Sequence, residues 1–346
     1  IIWVNATIYF LINVKFSSGV PDSPYSKNLG IRVGAVTALL LSVCLGYGTF
    51  ALSKYESSES PPLKVSLIQG NIEQAMKWDR HYRDQVIQTY ERLTLKGAET
   101  KPDLIVWPEA ATPYYYSINP QETTKLKKLV TLAGTPLVFG SPYYKQAGAA
   151  ITMFNSAYLL EPGGTEKLRY DKVHLVPFGE YVPMRSVLKF SKLTAGRLDF
   201  SSGTGPRVLD LSGLPPVAML ICYEVIFPDE ILGEDQNTPR PGWLLNITND
   251  AWFGVTTGPH QHLAAARLRA VEHGLPLVRV ANTGISAIID PYGRTNVALA
   301  LGKAGVLDGN LPKALDPTIF SRFGTLITWF LIFVTIALPV TIGRKN

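Results

Sequence analysis

Three short stretches place an acid, a lysine and a cysteine at or near the ends of apolar runs. Val106-Trp107-Pro108-Glu109 ends in a carboxylate, Tyr170-Asp171-Lys172-Val173 carries a lysine, and Leu220-Ile221-Cys222-Tyr223-Glu224 carries a cysteine followed by an acid. These are the parts of an activated thiol nucleophile. A free thiol has a pKa of about 8.5 and is mostly protonated at neutral pH. A carboxylate can take its proton, and a nearby ammonium favours the thiolate. The ammonium can also stabilise the oxyanion of a tetrahedral intermediate. Each residue has an ordinary reading too. Free Cys is among the most buried residue types and often only packs. A Glu after a strand is commonly a solvated loop residue, and a Lys beside Asp171 makes a surface pair of small value.

The elements that must position these residues alternate between strand and helix over 63–315. Runs at 65–69, 104–107, 137–139, 157–160, 217–222, 244–248, 277–281 and 286–289 are aliphatic or β-branched and bounded by Gly, Pro, Asn and Asp, which predicts strands. Several are apolar throughout, as strands covered on both faces are. Helices are predicted at 80–96, 123–133 and 260–273. In the first, Val86, Tyr90 and Leu93 fall at i, i+4, i+7 and mark one apolar face. Pro61-Pro62 separates this domain from what precedes it.

The flanks are of another kind. Residues 33–52 and 323–342 are two twenty-residue tracts without a charge. As helices each rises ~30 Å, about the hydrocarbon thickness of a bilayer, so both are predicted to span a membrane. Residues 1–14 are apolar but short, and the first residue is Ile1 rather than Met. A partial spanning helix of an N-terminally truncated fragment is expected there. Lys15, Lys27 and Arg32 lie between the first two segments, and Arg344 and Lys345 follow the last. The positive-inside rule puts these on the cytoplasmic side and the central domain on the other. Composition agrees with a membrane chain. Of 346 residues 46% are hydrophobic and 17% charged, against about 25% charged in a soluble domain. That low charged share excludes disorder and a highly charged nucleic-acid arm, the net charge of +6 is a modest excess, and two cysteines exclude a disulfide framework.

The words around the three residues carry a resemblance. WPEA at 107–110, RYDKVHLVPFGEYVP at 169–183, ICYE at 221–224 and NDAWFG at 249–254 resemble the nitrilase, or carbon–nitrogen hydrolase, superfamily. Together with LIQGNIEQAMKWD at 67–79 and ANTGISAIIDPYG at 281–293, they are similar to its membrane-bound branch, the apolipoprotein N-acyltransferases. The resemblance covers about residues 63–300. It implies an α/β fold, a nitrilase-like α-β-β-α sandwich flanked by transmembrane helices. It implies Glu109 as general base, Lys172 as oxyanion stabiliser and Cys222 as nucleophile. Glu180 matches a second glutamate that orients the lysine. Tyr223 and Glu224 match the residues after the nucleophile, with the Tyr223 N–H a further oxyanion donor. Trp78 matches a tryptophan on a mobile loop near the site, and Asn155 a supporting asparagine. Members of that branch have several more spanning helices before the catalytic domain; here one and a partial one remain.

The reaction so implied is acyl transfer from a phospholipid through a Cys222 thioester to the N-terminal diacylglyceryl-cysteine of an apolipoprotein. It takes place at the bilayer of the bacterial inner membrane, on its extracytoplasmic side, without metal, organic cofactor or nucleic acid. A membrane-tethered amidase would use the same triad and let water attack, and an inactive membrane scaffold is the non-enzyme alternative. Other patterns are weaker. His260 and His262 stand at i, i+2 and point apart on a helix, which predicts pairing or packing rather than a shared metal. Ser186-Val187-Leu188-Lys189 lacks the companion motifs of penicillin-interacting enzymes. Tyr114-Tyr115-Tyr116 is expected to form a lid touching lipid, with loop packing as the alternative.

Overall fold

In β1 (Lys64–Gln69) Val65 and Leu67 point to one side and Ser66 and Ile68 to the other, and all four are buried. The same holds in β2 (Leu104–Val106) and β7 (Val217–Ile221). A strand covered on both faces has no polar alternation, so it reads as a continuous apolar run. The computed structural model describes residues 24–53, 63–148, 150–183, 198–204, 208–211, 213–232, 239–330 and 332–333.

Within residues 58–346 two six-stranded sheets form. The first runs β12-β1-β2-β3-β4-β5, with β3 (Leu137–Ala147), β4 (Ala150–Leu160), β5 (Glu166–Asp171) and β12 (Gly305–Asn310). The second runs β11-β10-β9-β8-β7-β6, with β6 (Val208–Leu209), β8 (Trp243–Thr248), β9 (Leu277–Ala281), β10 (Ser286–Ile289) and β11 (Thr295–Leu299). The central strands β1-β2-β3 and β7-β8-β9 are parallel.

The inner faces of both sheets make one core. Val65, Leu67, Leu104 and Val106 pack there with Val217, Met219, Ile221 and Leu245. Each outer face carries helices. On the first sheet lie α2 (Arg83–Ala98), through Val86, Tyr90 and Leu93, and α3 (Pro120–Ala133), through Leu126, Leu129 and Val130. On the second lies α4 (Gly258–His273), through Ala266 and Ala270. The architecture is the expected α-β-β-α sandwich.

Several boundaries differ from expectation. The strand expected at 217–222 ends at Ile221, and Cys222 opens a 3-10 turn, Cys222–Ile226. The helix expected at 80–96 starts as a separate 3-10 turn, Arg80–Tyr82, capped by the Asp79 carboxylate, which accepts from the His81 N–H. Strands β5, β6, β11 and β12 were not expected. They are short or exposed, so their sequences carry no apolar run.

The other unit holds α1 (Pro24–Ser53), a 30-residue helix that contains the tract 33–52. From residue 38 onward its side chains are described, and large apolar ones such as Leu39, Leu45 and Phe50 are exposed. Among the described residues no helix is long and apolar enough to cross a membrane. The segment 1–14 lies outside the described residues, as do Ser186–Lys189 and, within 323–342, residues 331 and 334–342.

Candidate active site

Three strands of the sandwich end in the residues singled out from the sequence. After β2 the chain turns through Pro108 to Glu109, after β5 it reaches Lys172, and after β7 it reaches Cys222. The turn at Glu109 is seated on the neighbouring strand: Ala111 N–H donates to Gly140 O at 2.8 Å, and Gly140 N–H to Pro108 O at 3.2 Å. A Cβ on Gly140 would stand 2.5 Å from Ala110 N, so only glycine allows this approach. Five non-glycine residues among those described have positive φ. Three of them are Ala110, Phe178 and Cys222, beside Glu109, near Glu180 and at the cysteine itself. Such backbone costs about 1–3 kcal/mol each and persists where surrounding contacts impose it.

Glu109, Lys172 and Cys222 line one cavity of about 1100 Å³, together with Trp78, Asn155, Glu180 and Tyr223. Lys172 is 1% exposed, and its ammonium lies 2.9 Å from Glu180 Oε2 and 3.8 Å from Glu109 Oε1. Asn155 Nδ2 donates to Glu109 Oε1 at 2.7 Å and to Glu180 Oε1 at 2.8 Å. Val176 N–H donates to Glu180 Oε2 at 2.8 Å. One carboxylate oxygen is left over: Glu109 Oε2 is buried without a hydrogen-bond partner among the described residues, as is the amide oxygen of Asn155. Asp171, next to the lysine, turns the other way, accepting from Ser156 Oγ at 2.6 Å and pairing with Arg169 at 3.0 Å.

Burial works against the Lys172 charge, but Glu180 and Glu109 outweigh it and hold the ammonium well above the ordinary lysine range. Burial pushes the Cys222 thiol up to about 12; Glu109 adds to this, and Lys172 and the Thr248 hydroxyl oppose it without prevailing. The resting group is the thiol, and its proton must leave as the sulfur attacks. Cys222 keeps part of its surface accessible.

Glu224 is not in the cavity wall. Its carboxylate is fully buried and accepts from Ile221 N–H at 2.7 Å, Val173 N–H at 2.9 Å, His174 N–H at 3.1 Å and the Tyr170 hydroxyl at 3.0 Å. It thus ties the backbone after Lys172 to the backbone before Cys222. Trp78 closes the short helix Gln74–Lys77 and faces Tyr115, ring centres 6.3 Å apart. Of the three tyrosines expected as a lid, Tyr114 and Tyr116 are buried in the packing beneath α2 and α3, and Tyr115 is partly exposed.

The sequence reading missed Lys77. It is 2% exposed, donates to the Glu109 carbonyl at 3.0 Å, and burial lowers its pKa to about 8 against the pull of Glu109 and Cys222. Also missed was a buried set behind the cysteine. Asp250, whose carboxyl is held down to about 2, accepts from Arg279 at 2.8 Å and pairs with His262 at 2.9 Å. Burial raises that carboxyl, and Arg279 and His262 more than offset it. Arg279, a charge inside the apolar strand Leu277–Ala281, was the available signal.

The sequence profile of the carbon-nitrogen hydrolase family matches residues 64–318. The chain is 42% identical over 324 residues to an apolipoprotein N-acyltransferase of Geobacter metallireducens, covering 93% of this chain and 60% of that one. It is 38% identical over 318 residues to that of Bradyrhizobium diazoefficiens, covering 88% and 58%. The chain thus spans about 60% of the length of these curated relatives. An amidase from Nesterenkonia sp. has a similar fold, with a TM-score of 0.52 at 20% identity over 75% of this chain and 93% of that one. With the α-β-β-α sandwich, the matched profile and these relatives in agreement, the chain belongs to the carbon-nitrogen hydrolase family.

Proposed function

We propose that this chain carries the catalytic domain of an apolipoprotein N-acyltransferase, with Cys222 as nucleophile, Glu109 as general base and Lys172 as oxyanion stabiliser. The observation that carries the reading is the single unpartnered carboxylate oxygen, Glu109 Oε2, in the same cavity as a protonated Cys222. As Sγ attacks the ester carbonyl of a phospholipid, Oε2 takes the thiol proton. The oxyanion forms against Lys172 and the Tyr223 N–H. The C–O bond then breaks, the lysophospholipid oxygen takes the proton from Glu109, and a thioester remains. The α-amine of a diacylglyceryl-cysteine attacks that thioester and gives its proton to Glu109. The thiolate leaves and is reprotonated, and an amide is formed.

Glu180 and Asn155 hold the lysine and one oxygen of the base. Trp78 serves acceptor or lipid handling at the cavity wall. The cavity exceeds the range of about 300–1000 Å³ usual for small-ligand sites, and Tyr115, Ile118, Phe200, Trp252 and Phe253 give it a largely apolar wall. That suits an acyl chain better than a small amide. A membrane tether is supported by the uncharged tract 33–52 on α1, with its exposed Leu39, Leu45 and Phe50, and the domain is assigned to the extracytoplasmic side.

The test is product analysis from a phospholipid with and without a diacylglyceryl lipopeptide. Acyl-lipopeptide and lysophospholipid in equal amounts are expected. Free fatty acid at the same rate in both cases assigns a hydrolase instead, and no turnover assigns a scaffold.

A further inference from the structure

Behind the nucleophile the peptide joining Cys222 to Tyr223 is gripped by a charged network that the proposed reaction does not use. His262 Nε2 lies 3.2 Å from the Cys222 carbonyl oxygen. A carbonyl only accepts, so this nitrogen carries a proton. Asn246 Nδ2 reaches the same oxygen in a long contact of 3.5 Å and donates to Leu220 O at 3.2 Å. The other ring nitrogen of His262 stands 2.9 Å from Asp250 Oδ1 and 3.1 Å from an Arg279 nitrogen. Arg279 donates to Asp250 Oδ2 at 2.8 Å and also to Asn246 Oδ1. Asp250, Asn246 and Arg279 are fully buried, and His262 is 7% exposed. The carboxylate fits only because residue 284 is glycine: a Cβ there would lie 2.1 Å from Asp250 Oδ2.

Such a set is costly to bury, and through His262, with a long contact from Asn246, it reaches the Cys222 carbonyl. Cys222 has φ +52°, which a non-glycine residue does not adopt by local preference. The orientation of its following peptide is therefore imposed from outside. A trans peptide is planar, and its C=O and N–H point to opposite sides. Holding the Cys222 carbonyl on His262 turns the Tyr223 N–H away from α4. Tyr223 is the second residue of the turn Cys222–Ile226, so its N–H has no partner within that turn.

We infer that His262, held by Asp250 and Arg279, is a positioning residue that fixes the Cys222–Tyr223 peptide and so presents the Tyr223 N–H as an oxyanion donor. This rests on Cys222 being the nucleophile. Two reactions of the same sulfur separate the roles. Alkylation by iodoacetamide forms a C–S bond and expels iodide with no oxyanion. Acylation by p-nitrophenyl butyrate passes through a tetrahedral oxyanion before p-nitrophenolate leaves.

In the full chain in detergent, His262→Leu is expected to be alkylated at the parent's rate. Its acylation should be slower by about 10²–10³, as for loss of one oxyanion donor. His262→Gln, whose amide can donate to the same carbonyl, should recover much of the acylation. If His262→Leu does not fold, His262→Asn, polar but shorter, takes its place with the same expectation. Acylation at the parent's rate overturns the inference. An equal fall in both reactions also overturns it, because that is what a purely structural role produces. Labelling that persists in Cys222→Ala instead sinks the nucleophile assignment, a separate failure.

Discussion

The ammonium of Lys172 pairs at 2.9 Å with Glu180, while Glu109 stays 3.8 Å away. The lysine is thus anchored by a carboxylate other than the proposed base. Asn155 bridges both acids, and Glu109 keeps one oxygen for the thiol proton.

With phospholipid present and no acceptor, acyl groups should accumulate on Cys222. A hydroxylamine-sensitive label followed by peptide mapping reads this directly. Cys222→Ala should abolish the label and Cys44→Ala should not. Rapid loss of label as free fatty acid would point to water as the natural acceptor.

Glu109→Gln should slow thioester formation by about 10²–10⁴, the usual contribution of a general base. Lys172→Met should slow it by about 10²–10³ through loss of the charge facing the oxyanion. Glu180→Gln should fall between the parent and Lys172→Met, because it frees the lysine without removing it. Single-turnover acylation of the three variants checks the order.

Lys77 sets a pH dependence. Its folded pKa of about 8 lies below the ordinary 10.5, so its charge near Glu109 and Cys222 disappears as pH rises through about 8. The acylation rate should fall through that pH, and Lys77→Met should flatten the profile. Stability moves oppositely. Between about pH 8 and 10.5 the unfolded chain holds more protons, so unfolding free energy should rise with pH in the parent and not in Lys77→Met.

Gly140→Ala should displace the Glu109 turn, since the new Cβ meets Ala110 N at 2.5 Å and Glu109 Cα at 2.7 Å. Overpacking of this kind costs about 1–3 kcal/mol. Alkylation and acylation of Cys222 should fall together here, because both need the base. A fall in acylation alone would mean that the turn positions something other than Glu109.

A reporter fused near residue 60 should be active only outside the cytoplasm. Activity only inside would reverse the orientation assigned from Lys15, Lys27, Arg32, Arg344 and Lys345.

Much of the sandwich was legible because β1, β2 and β7–β10 are buried on both faces and leave apolar runs. β5 reads EKLRYD and is largely exposed, and β11 and β12 are edge strands with polar residues, so nothing in their composition separates them from loops. The cysteine, lysine and acid stood out as odd residues at strand ends. Lys77 did not, because a lysine in a polar stretch looks solvated until the tertiary fold buries it. Of the His262 set the charge of Arg279 inside an apolar strand was legible, but the link between its members was not. Asp250, His262 and Arg279 sit on a turn, a helix and a strand, and no local pattern links them.

The first sheet pairs β1 with β12, joining Lys64 to Asn310 in register. A nascent chain therefore cannot complete this sheet until residue 310 has emerged, long after the acid, the lysine and the cysteine have been synthesised. Contacts this distant in sequence form slowly. Until they form, β1 lacks its partner on one edge, an invitation to wrong pairing. C-terminal truncations ending before Gly305 leave that edge of β1 open and should yield aggregation rather than a partly active enzyme.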